Sequence, residues 1–513
     1  MTMIPLSRIP SIQAARQGAE TWAIRHGDDV ITWGELEDRS NRRAWAFKEQ
    51  GVVPGDFVTL ALPNGSDFYE NLFALWKIGA TPHVVSYRLP PSELMAIVSV
   101  AKPKLVIAYS EELITSFGAK PADFGKDHGN GNTHEEIIVP RWKAMSSGGS
   151  TGLPKIIIAP GPNAFDTEKK PPLHFPETGP ILATGPVYHN MPLTVNIQAL
   201  FEGHQVVGMT RFDPEECLRL IEEFRIQWTS FVPTMMMRIS RLPEEVRSRY
   251  DVSSLKVVWH WAAPMPQTLK QEWIDWLGAE KIWELYGGTE GIVTTVLNGK
   301  EWLEHRGSVG RPHLDKIKIL DDEGNELPTG EVGEIFALPA GGQGSTYEYL
   351  GSEARTATGG YETLGDYGWV DEDGYLYIAD RRTDMIVSGG ANIFPAEVEG
   401  ALMAHPGVEA AVVIGLPNDD FGAIAHAIVK PTEGWEEELN QGVLVDFVAK
   451  QLVTYKIPRS FEFVTEQLRD DAGKVRRKQL REERIARMQT AVLPLKANGE
   501  RHEKRNANDA IKS

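Results

Sequence analysis

Between Thr32 and Leu105 the chain alternates between helix-like and strand-like hydrophobic patterns. Thr32-Trp33-Gly34-Glu35 has the spacing of a capping box. Leu36, Ala44 and Phe47 follow at roughly helical intervals, and Gly51 is placed to stop the helix. Residues 57–62 read as a strand. Ser66 predicts the cap of a second helix running to Trp76, with Gly79 at its end and a short strand at His83-Val84-Val85. A third helix is expected over 91–101 and a third strand over 104–108. Strand-helix-strand alternation of this kind predicts a largely parallel sheet covered by helices. The theme returns in a strand at 256–260, a helix around 269–277 and a strand at 281–285.

The texture differs elsewhere. Residues 118–135 are rich in Gly, Asp and Asn and read as an exposed loop. Past residue 315, turn sequences such as Asp321-Asp322-Glu323-Gly324-Asn325 and Asp371-Glu372-Asp373-Gly374 separate short strand-like runs. They predict hairpins or a small β subdomain. After Asp380 comes a compact βα pattern, with strands expected over 408–416, 423–429 and 461–464 and a helix over 439–452. Residues 491–513 are polar and read as a flexible tail. The expected fold is therefore α/β. A large N-terminal domain (1–380) of helix-covered, mostly parallel sheets plus a β subdomain precedes a small α+β C-terminal domain (381–490).

Composition narrows the class. A chain of 513 residues exceeds the roughly 250–300 at which single cores stop growing, so two or more domains are expected. Hydrophobic residues at 42% and charged residues at 24% suit a soluble globular enzyme and exclude a disordered or collagenous chain. The one cysteine, Cys217, excludes an internal disulfide and is compatible with a reducing compartment. The net charge of −18 gives no long-range attraction to nucleic acid or anionic lipid. No run approaches the ~20 apolar residues of a membrane span, and Met1–Leu6 lacks the basic-then-apolar pattern of a signal peptide. A cytoplasmic location is expected.

The sharpest local feature is Ser146-Ser147-Gly148-Gly149-Ser150-Thr151-Gly152-Leu153-Pro154-Lys155. Its glycines let the backbone approach a ligand, its hydroxyls and amides can donate to phosphate oxygens, and Lys155 adds a cation. A plain flexible Ser/Gly loop is the competing structural reading. The Walker P-loop pattern fails, because Lys155 is followed by Ile156 and preceded by Pro154. Gly148-Gly149-Ser150-Thr151-Gly152 does satisfy Gly-x-Ser-x-Gly, the nucleophile elbow of serine hydrolases. That motif needs a helix directly after it, and Pro160 and Pro162 oppose one.

The loop resembles the phosphate-binding signature of the adenylate-forming superfamily, which includes acyl-CoA synthetases, firefly luciferases and nonribosomal adenylation domains. Five more segments follow in that superfamily's order. They are Pro186-Val187-Tyr188-His189-Asn190, Trp261-Ala262-Ala263-Pro264, Tyr286-Gly287-Gly288-Thr289-Glu290, the run from Gly365-Asp366 through Arg381 to Glu399, and Gly473-Lys474-Val475-Arg476. The resemblance spans about residues 20–485 and implies an enzyme that activates a carboxylic acid as its AMP anhydride and passes the acyl group to a thiol. It implies ATP, Mg²⁺ and CoA as ligands. Ser146, Ser147, Gly148, Gly149, Ser150, Thr151, Gly152 and Lys155 would hold the β- and γ-phosphates. Thr289 would contact the α-phosphate and Glu290 would bind Mg²⁺, a hard cation suited to oxygen ligands. Tyr286 would stack on adenine opposite Ala262, Ala263 and Pro264, while Asp366 and Arg381 would bind the ribose hydroxyls. Lys474 would reach the carboxylate and α-phosphate during adenylation, and His189 would sit beside the acid. Gly389 and Gly390 would border the pantetheine channel.

The chain departs from the superfamily pattern at Leu364, where Ser or Thr usually precedes the Gly-Asp pair. It departs again at Thr383, where Asp or Lys usually forms the hinge about which the small domain rotates between the two half-reactions. No Asp lies near Tyr188-His189-Asn190 to hold an amine, which argues against an α-amino acid. Trp259, His260, Trp261, Tyr188, Met191 and Leu297 are expected to border the acid pocket, with His260 as a polar group flanked by the two tryptophans. This suggests a fatty or bulky cyclic, steroid-like acid. The partners expected are that acid, ATP and CoA; a homodimer is compatible with the sequence, and a carrier-protein thiol is the alternative acceptor.

Overall fold

The computed structural model describes residues 3–147, 155–168, 172–313, 316–470 and 473–488. Residues 148–154 of the glycine-rich loop and the expected tail at 491–513 lie outside them. The chain divides into two units, one built from residues 1–378 and 471–473, the other from 379–470 and 474–513.

Two large sheets organise the first unit. In one, the strands Arg141–Ser147, Thr81–Val84, Phe57–Ala61, Leu105–Ala108 and Lys120–Pro121 lie side by side and parallel. Lys155–Pro160 and Glu348–Leu350 add antiparallel strands at the edge. In the other, six parallel strands run from Ile282–Gly287 through Val257–His260, Trp228–Phe231, Ile181–Ala183 and Val206–Gly208 to Trp22–His26. Antiparallel strands Thr294–Asn298 and Asp29–Thr32 close its edges. A third, antiparallel sheet includes Ile317–Leu320, Gly333–Ala337, Tyr361–Val370 and Leu376–Arg381, the last two joined by the predicted turn at Asp371–Gly374.

Local sequence explains the helices well. Trp33–Glu49 begins with the expected capping box: Glu35 N donates to Thr32 Oγ1 at 3.1 Å, and Thr32 N donates to Glu35 Oε2 at 2.9 Å. The helix Pro91–Ala101 has the predicted bounds. Ser66, however, is the first residue of the helix Ser66–Lys77 and does not cap it; Gly65 holds that position. The acceptor comes from elsewhere in the fold, since Asp29 accepts from both Ser66 N and Ser66 Oγ at 2.9 Å. The loop after Gly118 is likewise less exposed than expected. Arg43, fully buried, donates to the carbonyls of Ala122 and Phe124 at 2.6 and 3.1 Å and to Glu70 at 2.8 and 2.6 Å, and pairs with Asp67. The loop is thus tied onto two helices through one guanidinium.

In the second unit, Val408–Asn418, Gly422–Pro431 and Ser460–Phe463 form a three-stranded sheet. Side chains alternate across it. Ala411, Val413, Ala427 and Val429 face Val398, Leu402, Leu444 and Val448 of the helices Pro395–Met403 and Gln441–Val448. Val412, Ile414 and Ile428 pack on the other side with Val464, Leu468, Val475, Leu480 and Ile485. A helix over 477–488 carries the last two of these.

Candidate active site

The glycine-rich segment connects two neighbouring antiparallel strands, with Ser147 paired to Lys155. A strand, Arg141–Ser147, therefore precedes it and another strand, Lys155–Pro160, follows it. A nucleophile elbow requires a helix after the motif, and here a strand follows. Ser146 is anchored through a buried chain of side chains: its Oγ lies 2.8 Å from His83 Nε2, and His83 Nδ1 lies 2.9 Å from Thr59 Oγ1. Burial holds the His83 imidazole down to about 4, so it is neutral and acts as a hydrogen-bonding strut.

Thr289 and Glu290 occupy the tip of a turn closed by Gly291 N donating to Gly288 O at 3.0 Å. Gly288 lets this turn sit close to its neighbours: a Cβ there would come within 2.8 Å of the Leu364 side chain and 2.9 Å of the Glu290 carboxylate, and both would have to shift. Leu364, the departure from the superfamily pattern, thus packs under this turn beside Ile157, Ile292, Ala337 and Tyr347. Across from the turn, Lys155 Nζ donates to Glu290 Oε1 at 3.0 Å and to Tyr349 Oη at 3.2 Å, and Tyr349 Oη donates to the same carboxylate oxygen at 2.6 Å. The ammonium also sits 4.6 Å from the centre of the Tyr349 ring. Burial pushes the Glu290 carboxyl up, but Lys155 and the Tyr349 hydroxyl outweigh it and hold the group below the usual carboxylate range.

The chain returns to this region at Tyr286 and Asp366, where Tyr286 Oη donates to Asp366 Oδ2 at 2.8 Å. Ala262 sits exposed with φ at +71°, a left-handed conformation uncommon outside glycine; Ala263 and Pro264 follow it at the end of the strand Val257–His260. His189 is the N-cap residue of the helix Asn190–Glu202, its ring 4.8 Å from that of Tyr188. In the second unit, Arg381 ends its strand exposed, and Arg381 N donates to Asp380 Oδ1 at 2.7 Å. Gly389 and Gly390 both have positive φ, at +58° and +82°, as the two central residues of the tight hairpin joining Ile386–Ser388 to Ala391–Ile393. Lys474 is exposed.

One part of the expected acid-pocket wall needs correction: the place of His260 between two tryptophans. Along the strand Val257–His260 side chains alternate, so Trp259 and Trp261 share one face while His260 points to the other. The tryptophans are closed into an aromatic layer with Trp228 and Trp283, and the indoles of Trp228 and Trp259 both donate to Leu173 O, at 2.7 and 3.0 Å. His260 is buried near Glu284, which pairs with Lys270. It is not flanked by the two indoles.

The family model for AMP-binding enzymes matches residues 11–341, and the model for their C-terminal domain matches 397–474. The chain belongs to this AMP-binding enzyme family. It is 31% identical to a feruloyl-CoA synthase of an Amycolatopsis species, over 92% of this chain and 97% of that one. It is 30% identical to the fatty acid–[acyl-carrier-protein] ligase ScoC of Streptomyces coeruleorubidus, over 88% and 91%. Among solved structures it resembles the o-succinylbenzoate CoA synthetase MenE of Bacillus subtilis in complex with ATP and magnesium ion, with a TM-score of 0.76 and 25% identity, covering 93% of this chain and all of that one. The mixed α/β fold with mostly parallel sheets is that of the AMP-binding enzymes.

The donor set of this family member suits a phosphate-borne ion. No group of three or more His, Cys, Asp or Glu able to cage a metal occurs among the described residues. One carboxylate, Glu290, paired with Lys155 at the end of the glycine-rich segment, fits Mg²⁺, which is held by one or two carboxylates plus substrate phosphates. Two residues of the site escaped the sequence reading. Tyr349 meets Glu290 across 59 positions and His83 meets Ser146 across 63. Only tertiary structure creates these contacts, and no local motif announces them.

Proposed function

We propose that the protein is an AMP-forming acid–thiol ligase that couples a carboxylic acid to CoA at the expense of ATP. The observation that carries this reading is the meeting of Lys155, Glu290 and Tyr349 in the first unit, where Tyr286 and Asp366 are also joined. Carboxylates resist nucleophiles because they are negatively charged. Attack of a carboxylate oxygen on the α-phosphorus expels pyrophosphate and forms an acyl-AMP anhydride; the CoA sulfur then attacks its carbonyl, releasing AMP and a proton. Lys155 and the loop from Ser146 would bind the β- and γ-phosphates, and Thr289 the α-phosphate. Tyr286 and Ala262-Ala263-Pro264 would hold adenine, Asp366 and Arg381 the ribose. Lys474 would neutralise charge between the acid and the α-phosphate, with His189 beside the acid and Gly389-Gly390 along the path of the thiol. Glu290 would hold Mg²⁺, which when bound offsets phosphate charge. The acid is an aryl or alkyl carboxylic acid, a class supported by the feruloyl and fatty-acid specificities in the names of the relatives and by the lack of an Asp near His189.

Pyrophosphate release across a panel of aromatic, fatty and steroid-like acids, with and without CoA, tests this. Release that needs ATP, Mg²⁺ and one acid class, with thioester formed once CoA is added, is expected. Thioester formed only on a carrier protein would transfer the reading to that acceptor. Ester hydrolysis without ATP, abolished by Ser150→Ala, would overturn it.

A further inference from the structure

In the basic run Lys474-Val475-Arg476-Arg477-Lys478, Lys474, Arg476 and Lys478 are exposed as on a solvated face, and Arg477 departs from them. Arg477 opens the helix over 477–488 and is turned inward. Its Nη1 donates to Asp384 Oδ2 at 2.7 Å, and its Nη2 donates to Glu399 Oε1 at 2.6 Å. Glu399 is only 3% exposed. Its Oε1 also accepts from Val413 N at 2.9 Å, and its Oε2 accepts from Arg469 Nη2 at 2.8 Å. One buried carboxylate therefore holds two arginines, one on each side of Lys474 in sequence. Between them, Lys474 N donates to Asp470 Oδ1 and Asp470 N donates to Lys474 O, both at 2.9 Å. Val475 packs into the core beneath the sheet. Backbone on both sides of Lys474 is thus referred to a single point, and its exposed side chain projects from a stretch fixed at both ends.

We propose that Arg477, clamped on Glu399 and Asp384, is a positioning residue for Lys474, setting where its ammonium stands during acid adenylation. This rests on the reading of Lys474 given above. Two charge-assisted bonds to two carboxylates on separate segments need the planar fork of Arg; a Lys can satisfy one at a time. A misplacement of about 1 Å in such a group can cost on the order of 100-fold in rate.

The test separates the half-reactions in the full-length protein. Arg477→Met is expected to slow acid-dependent pyrophosphate release by about 10- to 100-fold, with KM for ATP changed little, while thioester formation from supplied acyl-adenylate stays within a few-fold of wild type. Arg477→Lys, which keeps a charge on Glu399 and guards against a folding failure, should fall between. Adding either change to Lys474→Ala should slow adenylation little further, since Arg477 acts through Lys474. Parallel loss in both half-reactions, or additive effects in the double variant, would make Arg477 a general structural residue and overturn the proposal. A wild-type enzyme that releases no pyrophosphate with any acid defeats the proposed function itself and the positioning role with it. Wild-type turnover with undisturbed variants defeats the positioning role alone.

Discussion

At the scale of single residues, the geometry around Glu290 assigns Tyr349 a definite job. Its hydroxyl and the Lys155 ammonium both sit on one carboxylate oxygen, so the second oxygen is presented in a fixed direction. Tyr349→Phe keeps the ring under Lys155 and removes the 2.6 Å bond. It is expected to raise the Mg²⁺ concentration needed for half-maximal pyrophosphate release several-fold, and Glu290→Gln more steeply. An unchanged magnesium dependence in both variants would take Glu290 out of metal binding. Lys143 is a second residue with a measurable signature. It is 3% exposed, with Asn190 Oδ1 and Thr194 Oγ1 as partners at 2.5 Å and no carboxylate within 4 Å among the described residues. Burial pulls its amine down to about 7 from 10.5. The unfolded chain thus binds the proton more tightly. Below about pH 7 both states are protonated and the folded state bears the full penalty; as pH rises toward the unfolded value the penalty fades. Stability should therefore gain up to about 1.4 kcal/mol per pH unit from this group in that interval. Urea melts of wild type and Lys143→Met from pH 7 to 9.5 check this, and the variant should lose that part of the slope.

Among the elements, Arg43 joins the helices Trp33–Glu49 and Ser66–Lys77 to the loop after Gly118. Arg43→Met would leave Glu70, fully buried, with its charge poorly compensated, and should destabilise the protein by about 3–5 kcal/mol in denaturant melts. A loss under 1 kcal/mol would show that the loop is held by other means. Features closed within a few residues were readable in advance. The capping box of Thr32 and Glu35, the Pro91–Ala101 helix and the turn at Asp371–Gly374 are examples, because their partners lie within one or two turns of chain. Ser66 was misread because its helix takes its acceptor from Asp29, 37 positions away. His260 was misplaced because it was grouped with its sequence neighbours, whereas alternation along a strand sends neighbours to opposite faces. Lys155, Glu290, Tyr286 and Asp366 were legible as separate motifs, and tertiary structure then supplied their contacts. Tyr349, His83 and Arg477 carried no such mark.

For the molecule as a whole, the division falls between Ile378 and Ala379, shortly before Arg381 and Thr383. We propose that the small unit turns about this stretch between adenylation and thioester formation. Thr383, exposed in a turn closed by Asp384 N donating to Arg381 O at 3.0 Å, is a suitable pivot. Thr383→Pro fixes φ there, and is expected to slow thiol attack on acyl-adenylate more than pyrophosphate release. Equal rates in both steps would place the pivot elsewhere. Lys474→Ala should show the opposite imbalance, with adenylation slowed severely to a residual rate and thiol attack largely retained.

The pairing of Lys155 with Glu290 has a consequence for how reactants enter. An ammonium already pairs with one oxygen of the carboxylate, so a lone divalent ion arriving from solution meets a group whose charge is partly neutralised. We propose that nucleotide phosphates bound by Lys155 would draw the ammonium aside and free the oxygen it holds, as an ion carried on the same phosphates arrives. Free magnesium should therefore give little binding heat with the ligand-free protein, and the ion should be loaded as a passenger on ATP.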